Sequence, residues 1–364
     1  MSRAFQAAAE GPAQPNFSGR KRRPFEGEAG TARFEGESFI IAPQWIGDAV
    51  MTEPLLRRLA ARGERLTVGA LPWVAPVYRA MPQVADVIEL PFAHGGLQLR
   101  ERRALAKRLE GRFAKAYVLP NSLKSALLPF LASIPERIGY LGEARIGLLT
   151  HRLKNPKDKP PMVAFYSALS GQAGVDKDRP QLSVDLAATR ETIKAQGQRP
   201  REYAVFAPGS EYGPAKRWPA KHYAALAAQV GLPVVLLGSA KEAALCEDIA
   251  KAAENCVNLA GKTSVDEAIQ WLAATKYAVS NDSGLMHIAA ALGARQVAIF
   301  GSSSPLHTPP LNDKATVLWL KNEAAYQPPL DCAPCFEREC PLGHTRCLND
   351  VLPEQVMLQI EQLV

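Results

Sequence analysis

The sequence predicts an α/β protein made of two doubly wound domains. Short apolar runs, such as those at 39–42 and 203–207, alternate with amphipathic segments, and this alternation is typical of parallel sheets covered by helices on both faces. The length of 364 residues suits two domains of roughly 150 residues each. A proline-rich stretch between residues 154 and 200 interrupts the alternation. We therefore expect two domains with a cleft between them and ligands at the carboxyl ends of their strands.

The order of the segments divides the chain into five parts. Residues 1–37 are rich in Gly, Ala, Glu, Arg and Pro without a sustained period, which predicts a disordered tail. Residues 38–183 form the first Rossmann-like domain of this prediction, and residues 184–200 link it to the second. The second Rossmann-like domain covers 201–345 and ends in a cysteine-rich stretch, and a last helix occupies 346–364.

The chain carries a formal net charge of +7, which on its own fits nucleic acid, an anionic membrane surface or a phosphorylated substrate. A basic run at 20–23 lies in the predicted tail, where we interpret it as a solvated segment. The N-terminal region lacks the apolar segment of a secretory signal, and no apolar run approaches the ~20 residues of a membrane span. The sequence thus predicts a cytoplasmic protein. The first domain holds basic side chains that suit a phosphorylated or acidic acceptor: Arg100, Arg102, Arg103, Lys107, Arg108, Arg112, Lys115, Lys124, Arg137, Arg145, Arg152 and Lys154.

Asp48 opens the first predicted helix, which follows the strand at 39–42 and extends to about residue 62. An Asp at that position is a good helix N-cap, and Gly47 eases the turn before it. The same carboxylate would also stand at the edge of the cleft, where it could act as a general base. Position alone favours the cap and leaves the base as the alternative.

A loop rich in Gly and Pro follows the first strand of the second domain, at 207–219. Gly209 and Gly213 permit a close approach between the backbone and a ligand, and Lys216 and Arg217 bring positive charge. The spacing differs from that of a P-loop, G-x-x-x-x-G-K-[ST]. We interpret the stretch as a phosphate-binding loop of another kind.

A second loop, Asn-Asp-Ser-Gly at 281–284, joins a predicted strand to a predicted helix. Backbone N–H groups at such a helix start bind phosphate well, Ser283 could add a hydrogen bond, and Gly284 allows a close approach. Asp282 would repel a phosphate, so we assign it to sugar or ribose hydroxyls or to fixing the loop. His287 lies one helical turn beyond Ser283 on the same face, where a ligand contact and a core position are equal alternatives.

Glu242 lies near the start of the helix that follows the second strand of this domain. Its carboxylate could accept hydrogen bonds from ribose hydroxyls. A first-turn Glu is also favoured by the helix dipole alone, and this second interpretation is at least as good.

Two groups of residues have spacings that suggest a metal. Asp176 and Asp178 match the D-x-D that holds a metal diphosphate in other transferases, but they lie in the polar connection beside Lys and Arg, and we reject them as a metal site. Four cysteines near the C-terminus have spacings irregular for a zinc ribbon or finger. In a cytosolic chain we expect reduced thiols first and structural zinc second. These residues are Cys332, Cys335, Cys340 and Cys347, with His344 among them.

Five stretches, in order and at similar spacing, resemble the lipopolysaccharide heptosyltransferases, and within that family the type II enzymes. The resemblance runs from residue 39 to about residue 310. The chain departs from the family pattern at Gln44, where a small residue is commoner, and in its N-terminal tail and cysteine-rich segment. The matching stretches are APQWIGDAVM at 42–51, LPNSLKSALLPF at 119–130, RIGYLGEARIGLL at 137–149, APGSEYGPAKRWP at 207–219 and NDSGLMHIAAAL at 281–292.

The resemblance implies a GT-B fold, in which two Rossmann-like domains face each other across a central cleft. It implies inverting, metal-independent transfer of L-glycero-D-manno-heptose from ADP-heptose to the first heptose of heptosyl-Kdo2-lipid A, with no cofactor and no nucleic acid partner. Membrane contact would be peripheral, at the anionic inner leaflet. The alternatives are heptose transfer at another core position, a sugar-nucleotide epimerase, and a non-catalytic binder of sugar nucleotide or lipid A.

The resemblance also assigns roles to individual residues. Asp48 matches the catalytic base, which reverses the preference for a cap, and Lys216 matches the phosphate-binding lysine of the donor site. We assign acceptor binding in the first domain to Asn121, Lys124 and Arg145. The remaining donor-binding candidates are Gly209, Ser210, Glu242, Asp282, Ser283, Gly284 and His287.

Overall fold

The computed structural model describes residues 36–93, 96–172 and 178–364. The predicted N-terminal tail, apart from its last two positions, lies outside the described residues, and so does the basic run at 20–23. Asp176 lies outside them as well, so the rejected D-x-D pair is not described as a unit.

The first domain is built on one parallel sheet of six strands. These are β1 (Glu37–Ile41), β2 (Arg65–Ala70), β3 (Val84–Glu89), β4 (Lys115–Val118), β5 (Glu136–Tyr140) and β6 (His151–Leu153). Their order across the sheet is β3-β2-β1-β4-β5-β6. β1 and β4 are almost wholly buried, because an all-parallel sheet is covered on both faces.

In the described part of this domain, the sheet is covered by the helices α1 (Ile46–Met51), α2 (Glu53–Ala61), α3 (Ala75–Arg79), α4 (Leu99–Leu109), α5 (Leu123–Leu131) and α6 (Met162–Ser167). Apolar side chains of α4 and α5 pack with Phe39 and Ile41 of β1 in one cluster. Side chains of α2, α3 and α6 pack with Ile40 in another. Alternate residues of β1 therefore point to the two helix layers, as the period of a strand requires.

The second domain repeats this plan with strands β7 (Ala204–Ala207), β8 (Val234–Leu236), β9 (Cys256–Asn258), β10 (Tyr277–Asn281), β11 (Gln296–Ile299) and β12 (Ala315–Leu318). They form a parallel six-stranded sheet in the order β12-β11-β10-β7-β8-β9. Within each domain the order is the same doubly wound one, which reverses direction between the first and fourth strands. Ligands bind outside the carboxyl ends of the strands at such a reversal.

The remaining helices are α7 (Leu186–Ala195), α8 (Ala220–Gln229), α9 (Ala243–Ala252), α10 (Val265–Ala274), α11 (Gly284–Ala291), α12 (Arg346–Asn349) and α13 (Pro353–Leu363). Most of the segment at 184–200, which we expected to link the domains, is the helix α7, and it packs against α10. Asp185 caps α7 by accepting hydrogen bonds from the backbone N–H groups of Ala187 and Ala188.

The predicted α/β fold with two doubly wound domains is confirmed, but several elements differ from the sequence prediction. The single helix expected from Asp48 to about residue 62 is two helices, because Thr52 ends α1 and precedes α2. The strands β5, β6, β9 and β12 were not predicted. β6 and β9 have only three residues each and lie at sheet edges, so they carry too little periodicity to be recognised.

The two domains share one hydrophobic cluster. It contains Ile40 and Leu55 from the first domain and Val205, Trp271 and Ile288 from the second, all nearly inaccessible to solvent. The domains are therefore joined by apolar packing as well as by the connection between them.

A close helix contact between the domains is formed by α1 and α11, and it depends on two glycines. A Cβ atom at Gly47 would lie 2.8 Å from His287 Cδ2, and one at Gly284 would lie 2.8 Å from Ile46 Cβ. Real Cβ contacts are longer than this, so any other residue at either position would displace the facing side chain or push the helices apart. The helices that follow β1 and β10 are thereby held together.

The turns that lead from helices back to strands lie at the opposite, amino edge of the sheets. Gly111 follows α4 and Gly231 follows α8, with φ of +74° and +60°. Both have open space around the missing side chain. These glycines end their helices in the left-handed conformation that such turns require.

Candidate active site

Asp48 is the third residue of α1 and therefore does not cap it. The N-cap residue is Trp45, whose side chain makes no capping hydrogen bond, so the cap that position alone favoured is wrong. Burial raises the pKa of Asp48 from 3.8 to about 6, and the hydroxyl of Tyr166 and the charge of Lys216 offset part of the rise. A carboxylate whose pKa lies near the pH at which the enzyme works is well suited to accept a proton.

Lys216 and Asp282 form an ion pair that joins the two predicted donor loops. Lys216 Nζ lies 2.5 Å from Asp282 Oδ2, and the side chains are 18% and 5% exposed. The two residues are far apart in sequence, but β7 and β10, which precede them, are neighbours in the sheet. Lys216 Nζ also lies 5.0 Å from the ring centroid of Tyr212. Asp282 thus fixes Lys216, and both act electrostatically on Asp48.

His287 is buried beneath this pair. Its Nε2 lies 4.0 Å from Asp282 Oδ1, and burial lowers its pKa to about 4, against the opposing effect of Asp282. The imidazole is therefore neutral at pH 7. The structure places it against Gly47 of the first domain, so His287 serves the contact between the domains as well as the site.

Asn281, at the end of β10, is a site residue that the sequence analysis did not single out. Its Nδ2 donates 2.6 Å to the carbonyl of Pro208, and its Oδ1 accepts a 2.9 Å hydrogen bond from Trp218 N. One side chain therefore ties both ends of the loop that carries Lys216. A buried Asn at the end of an apolar strand was the sequence signal that could have identified it.

Glu242 and Gly209 are in direct contact. A Cβ at Gly209 would overlap the Glu242 carboxylate, so any other residue there would displace that carboxylate. Glu242 Oε2 accepts hydrogen bonds of 2.7 Å and 3.0 Å from the backbone N–H and hydroxyl of Ser239. This is a capping box, so one carboxylate oxygen has a structural role, as the helix-start interpretation predicted.

The remaining donor candidates lie beside these residues. Ser283 is the N-cap residue of α11 but makes no capping bond, and its Oγ is buried without a hydrogen-bond partner. Ser210 is almost completely buried, and its carbonyl accepts a 2.9 Å hydrogen bond from Arg217 Nη2. Arg217 therefore supports the loop, and Ser283 has the unused hydroxyl at the helix start.

A cavity of about 370 Å³ opens beside Asp48 on the first-domain side. Its wall combines aromatic and apolar groups with a few polar and charged side chains, as is common in small-molecule sites. His307 of the second domain also lines the cavity. Its Nδ1 lies 2.7 Å from the carbonyl of Pro160 in the first domain. The lining residues are Pro43, Gln44, Trp45, Asp48, Leu119, Pro120, Asn121, Asn155, Pro156, Asp158, Lys159, Pro160, Met162, Phe165, Tyr166 and His307.

Of the three acceptor candidates, only Asn121 lines this cavity. Arg145 is fully buried and donates to the carbonyls of Tyr140 and Pro120 and to Asn121 Oδ1. The Arg145 guanidinium is engaged in hydrogen bonds to these two loops. Arg145 therefore supports Asn121 and does not reach the acceptor cavity itself. Lys124 lies in the first turn of α5, outside the cavity wall.

The cysteine-rich segment packs against the donor loop. Ala215 N donates 3.0 Å to the carbonyl of Arg338, and the Tyr212 hydroxyl donates 2.5 Å to the carbonyl of Phe336. A Cβ at Gly213 would lie 2.4 Å from the Arg338 carbonyl. The segment therefore fixes the loop that presents Lys216.

All six cysteines of the chain are free thiols. Cys332, Cys335 and Cys340 lie close enough to Cys347 to act on it electrostatically, and burial, with their help, raises the pKa of Cys347 to about 11. Across residues 36–93, 96–172 and 178–364, no three His, Cys, Asp or Glu side chains are arranged to hold a metal ion.

Comparison with known proteins gives the family of the chain. The model of glycosyltransferase family 9 (heptosyltransferase) matches residues 102–346, which is more than half of the chain. The chain belongs to glycosyltransferase family 9. The family assignment that the five sequence stretches suggested is thereby confirmed.

Relatives that match this chain over most of their length are type 2 heptosyltransferases. They include the lipopolysaccharide heptosyltransferase 2 of Escherichia coli K12, at 40% identity over 89% of this chain and 97% of the relative. The lipooligosaccharide heptosyltransferase 2 of Haemophilus influenzae is 39% identical over 89% of this chain and 98% of the relative.

Solved structures support the same fold. The structure of E. coli ADP-heptose LPS heptosyltransferase II superimposes with a TM-score of 0.77 at 38% identity and covers 90% of this chain and 98% of that one. A family 9 glycosyltransferase from Veillonella parvula, at 18% identity, has a TM-score of 0.75 over 90% of this chain and 97% of its own, and shares the fold. In the described part of this family 9 chain, every helix is too short or too polar to cross a bilayer.

Proposed function

We propose that this family 9 glycosyltransferase transfers L-glycero-D-manno-heptose from ADP-heptose to the first heptose of heptosyl-Kdo2-lipid A, with inversion at the anomeric carbon. The observation that carries the proposal is the meeting of Asp48 and Lys216 across the cleft. A buried carboxylate from one domain thus faces a cation from the other, which supports the roles of proton acceptor and phosphate ligand. The enzyme would work in the cytoplasm and meet its acceptor at the membrane surface.

Asp48 acts as the general base in this proposal. The cavity beside it receives the acceptor sugar, whose hydroxyl gives its proton to the Asp48 carboxylate as the oxygen attacks the anomeric carbon. A positioned general base contributes typically 10²–10⁴-fold to the rate. Tyr166, buried next to Asp48, holds the carboxylate in place.

Lys216 stabilises the charge that develops on ADP as the bond to the sugar breaks. The backbone N–H groups at the start of α11 and the free hydroxyl of Ser283 supply further donors there, as is usual for an anion at a helix N-terminus. Because Asp282 already pairs with Lys216, it keeps the ammonium in place. In this scheme these donors perform the role of a metal ion, so the transfer needs none.

The decisive experiment follows ADP release from ADP-heptose by the purified protein in the presence of EDTA. We expect release only when heptosyl-Kdo2-lipid A is added, and a product with inverted configuration. If activity is lost in EDTA and restored by Mg²⁺, metal independence is wrong, but the proposed transfer reaction still stands. Release without acceptor, or a product isomerised on the nucleotide, would favour an epimerase over a transferase.

Lys216→Ala tests the donor site. Removing a charge-assisted hydrogen bond, which is worth about 1.5–3 kcal/mol, should weaken ADP binding by at least about tenfold in calorimetry and slow transfer. Lys221→Ala is the matched control, because Lys221 is an exposed lysine in the first turn of α8. Equal ADP affinity of the two variants would contradict the role of Lys216.

A further inference from the structure

The outer face of the first domain carries exposed apolar side chains beside exposed cations. Leu123 and Phe130 on α5 are 37% and 43% exposed, and Ile146 in the loop between β5 and β6 is 59% exposed. Leu123 and Phe130 are seven residues apart, so they lie on one face of α5, with the half-buried Leu127 between them. Large apolar groups exposed together in this way are characteristic of interaction sites.

Two contacts connect the elements that carry these apolar side chains. Leu123 N donates 2.7 Å to Glu143 Oε2, which attaches the loop of Ile146 to the start of α5. The guanidinium of Arg137 lies 5.5 Å from the ring centroid of Phe130 and donates to the carbonyl of Leu148. We refer to the exposed side chains of Leu123, Phe130 and Ile146 on these connected elements as the α5 patch.

A basic row borders the α5 patch. α4 packs against α5, and Arg100, Arg103 and Lys107 on α4 are exposed. Their spacing of three and four residues places them on one side of the helix. Glu101 is the acidic residue of the helix itself, and Glu110 follows at its C-terminal end, so α4 remains strongly cationic. Exposed cations beside exposed apolar side chains complement an anionic lipid surface, where each basic residue adds about fivefold to binding.

The α5 patch lies next to the cavity assigned to the acceptor. Asn121, which lines the cavity, stands two residues before α5, and a Cβ at Gly142 would lie 2.6 Å from the Asn121 carbonyl. Arg145 fastens the same two loops together. The cavity wall and the α5 patch thus share one rigid pair of loops.

We infer that the α5 patch and the basic row of α4 dock the enzyme on an anionic bilayer, with Leu123, Phe130 and Ile146 entering the interface. This inference rests on the proposed function, because a lipid-linked acceptor keeps its acyl chains in the bilayer while its sugar enters the cavity. Docking through this face brings the cavity mouth to the height of the headgroups.

Vesicle sedimentation tests the inference with the full chain. The protein should bind vesicles of phosphatidylglycerol and phosphatidylethanolamine but not vesicles of phosphatidylcholine. Substituting Arg100, Arg103 and Lys107 together by Ser should lower the partition coefficient by about 100-fold. Phe130→Ser combined with Ile146→Ser should lower it by at least about tenfold.

The control for these variants is Leu186→Ser combined with Leu358→Ser. Both leucines lie outside the first domain's sheet and helices, and their exposure is similar to that of Phe130 and Ile146. This control variant should bind vesicles as the unaltered chain does.

Turnover separates this inference from the proposed function. The variant with Phe130→Ser and Ile146→Ser should lose activity on acceptor embedded in vesicles and keep it on acceptor whose acyl chains have been removed. Variants that partition like the unaltered chain, or a control that loses binding equally, would overturn the docking face. A dimer in light scattering that the substitutions in the α5 patch disrupt would also overturn the docking face, because the patch would then join two copies of the chain. Failure of the unaltered chain to use the deacylated acceptor would count against the proposed function and not against docking.

Discussion

The surroundings of Asp48 disfavour the charged form of its carboxylate. Burial raises the pKa to about 6, and the neighbouring Asp282 adds to the rise. The carboxylate form is the active base, so protonation below that value removes it. We expect kcat/KM to fall about tenfold for each pH unit below 6. A profile that stays level down to pH 4.5 would be incompatible with Asp48 as the base.

The same burial predicts that the base lowers the stability of the fold. Its pKa is higher in the folded state than in the unfolded chain, so the charged form is penalised on folding. Asp48→Asn should slow transfer by about 10²–10⁴-fold and stabilise the protein by up to about 3 kcal/mol at pH 7. The gain should be complete above pH 6 and vanish as the pH falls toward 4. Denaturant unfolding at several pH values measures it, and a less stable variant at pH 7 would contradict this account.

Tyr166 offers a finer test of the environment of Asp48. Its hydroxyl lowers the pKa of the carboxylate, so Tyr166→Phe should raise that pKa and move the acid limb of the rate profile to higher pH. Tyr140→Phe is the control: the Tyr140 hydroxyl donates to the carbonyl of Phe165, next to Tyr166 in sequence. A profile unchanged by Tyr166→Phe would mean that the hydroxyl only fills space.

At the scale of elements, the contact between α1 and α11 sets how close the base comes to the donor loops. Gly47→Ala would place a Cβ against His287 and separate the helices by a fraction of an ångström or more. Because a misplacement of about 1 Å can reduce turnover about 10²-fold, we expect a large loss of kcat in a protein that still folds. Gly147→Ala is the control, since Gly147 has open space around it. Equal kcat for both variants would show that the spacing is not critical.

The sequence predicted the elements around this contact far better than the positions of their side chains. Strands such as β1 and β10 were predicted because their buried runs are apolar. The pairing of Lys216 with Asp282 was not predicted, because it depends on β7 and β10 being neighbours in the sheet. Arg145 was misassigned for the same kind of reason. A basic residue in a loop is usually solvated, and only the tertiary arrangement brings five carbonyl and side-chain acceptors around it.

For the whole molecule, the shared hydrophobic cluster predicts how the chain unfolds. Ile40 of the first sheet and Val205 of the second belong to the same cluster, so exposing one domain also exposes part of the other. We expect one cooperative thermal transition, with equal calorimetric and van't Hoff enthalpies. Two resolved transitions in a scanning calorimeter would show that the domains unfold independently.

The carboxyl and amino edges of the sheets differ in whether their loops can be modified without touching the site. The carboxyl edges hold the cavity and the donor loops, whereas the amino edges hold turns such as those at Gly111 and Gly231, around which space is open. Exposed positions beside these turns, Glu110 in the first domain and Gln229 in the second, can accept probes or inserted tags, since surface turns tolerate insertion best. A fluorophore pair attached there would follow the relative motion of the domains during turnover while leaving every reacting group untouched.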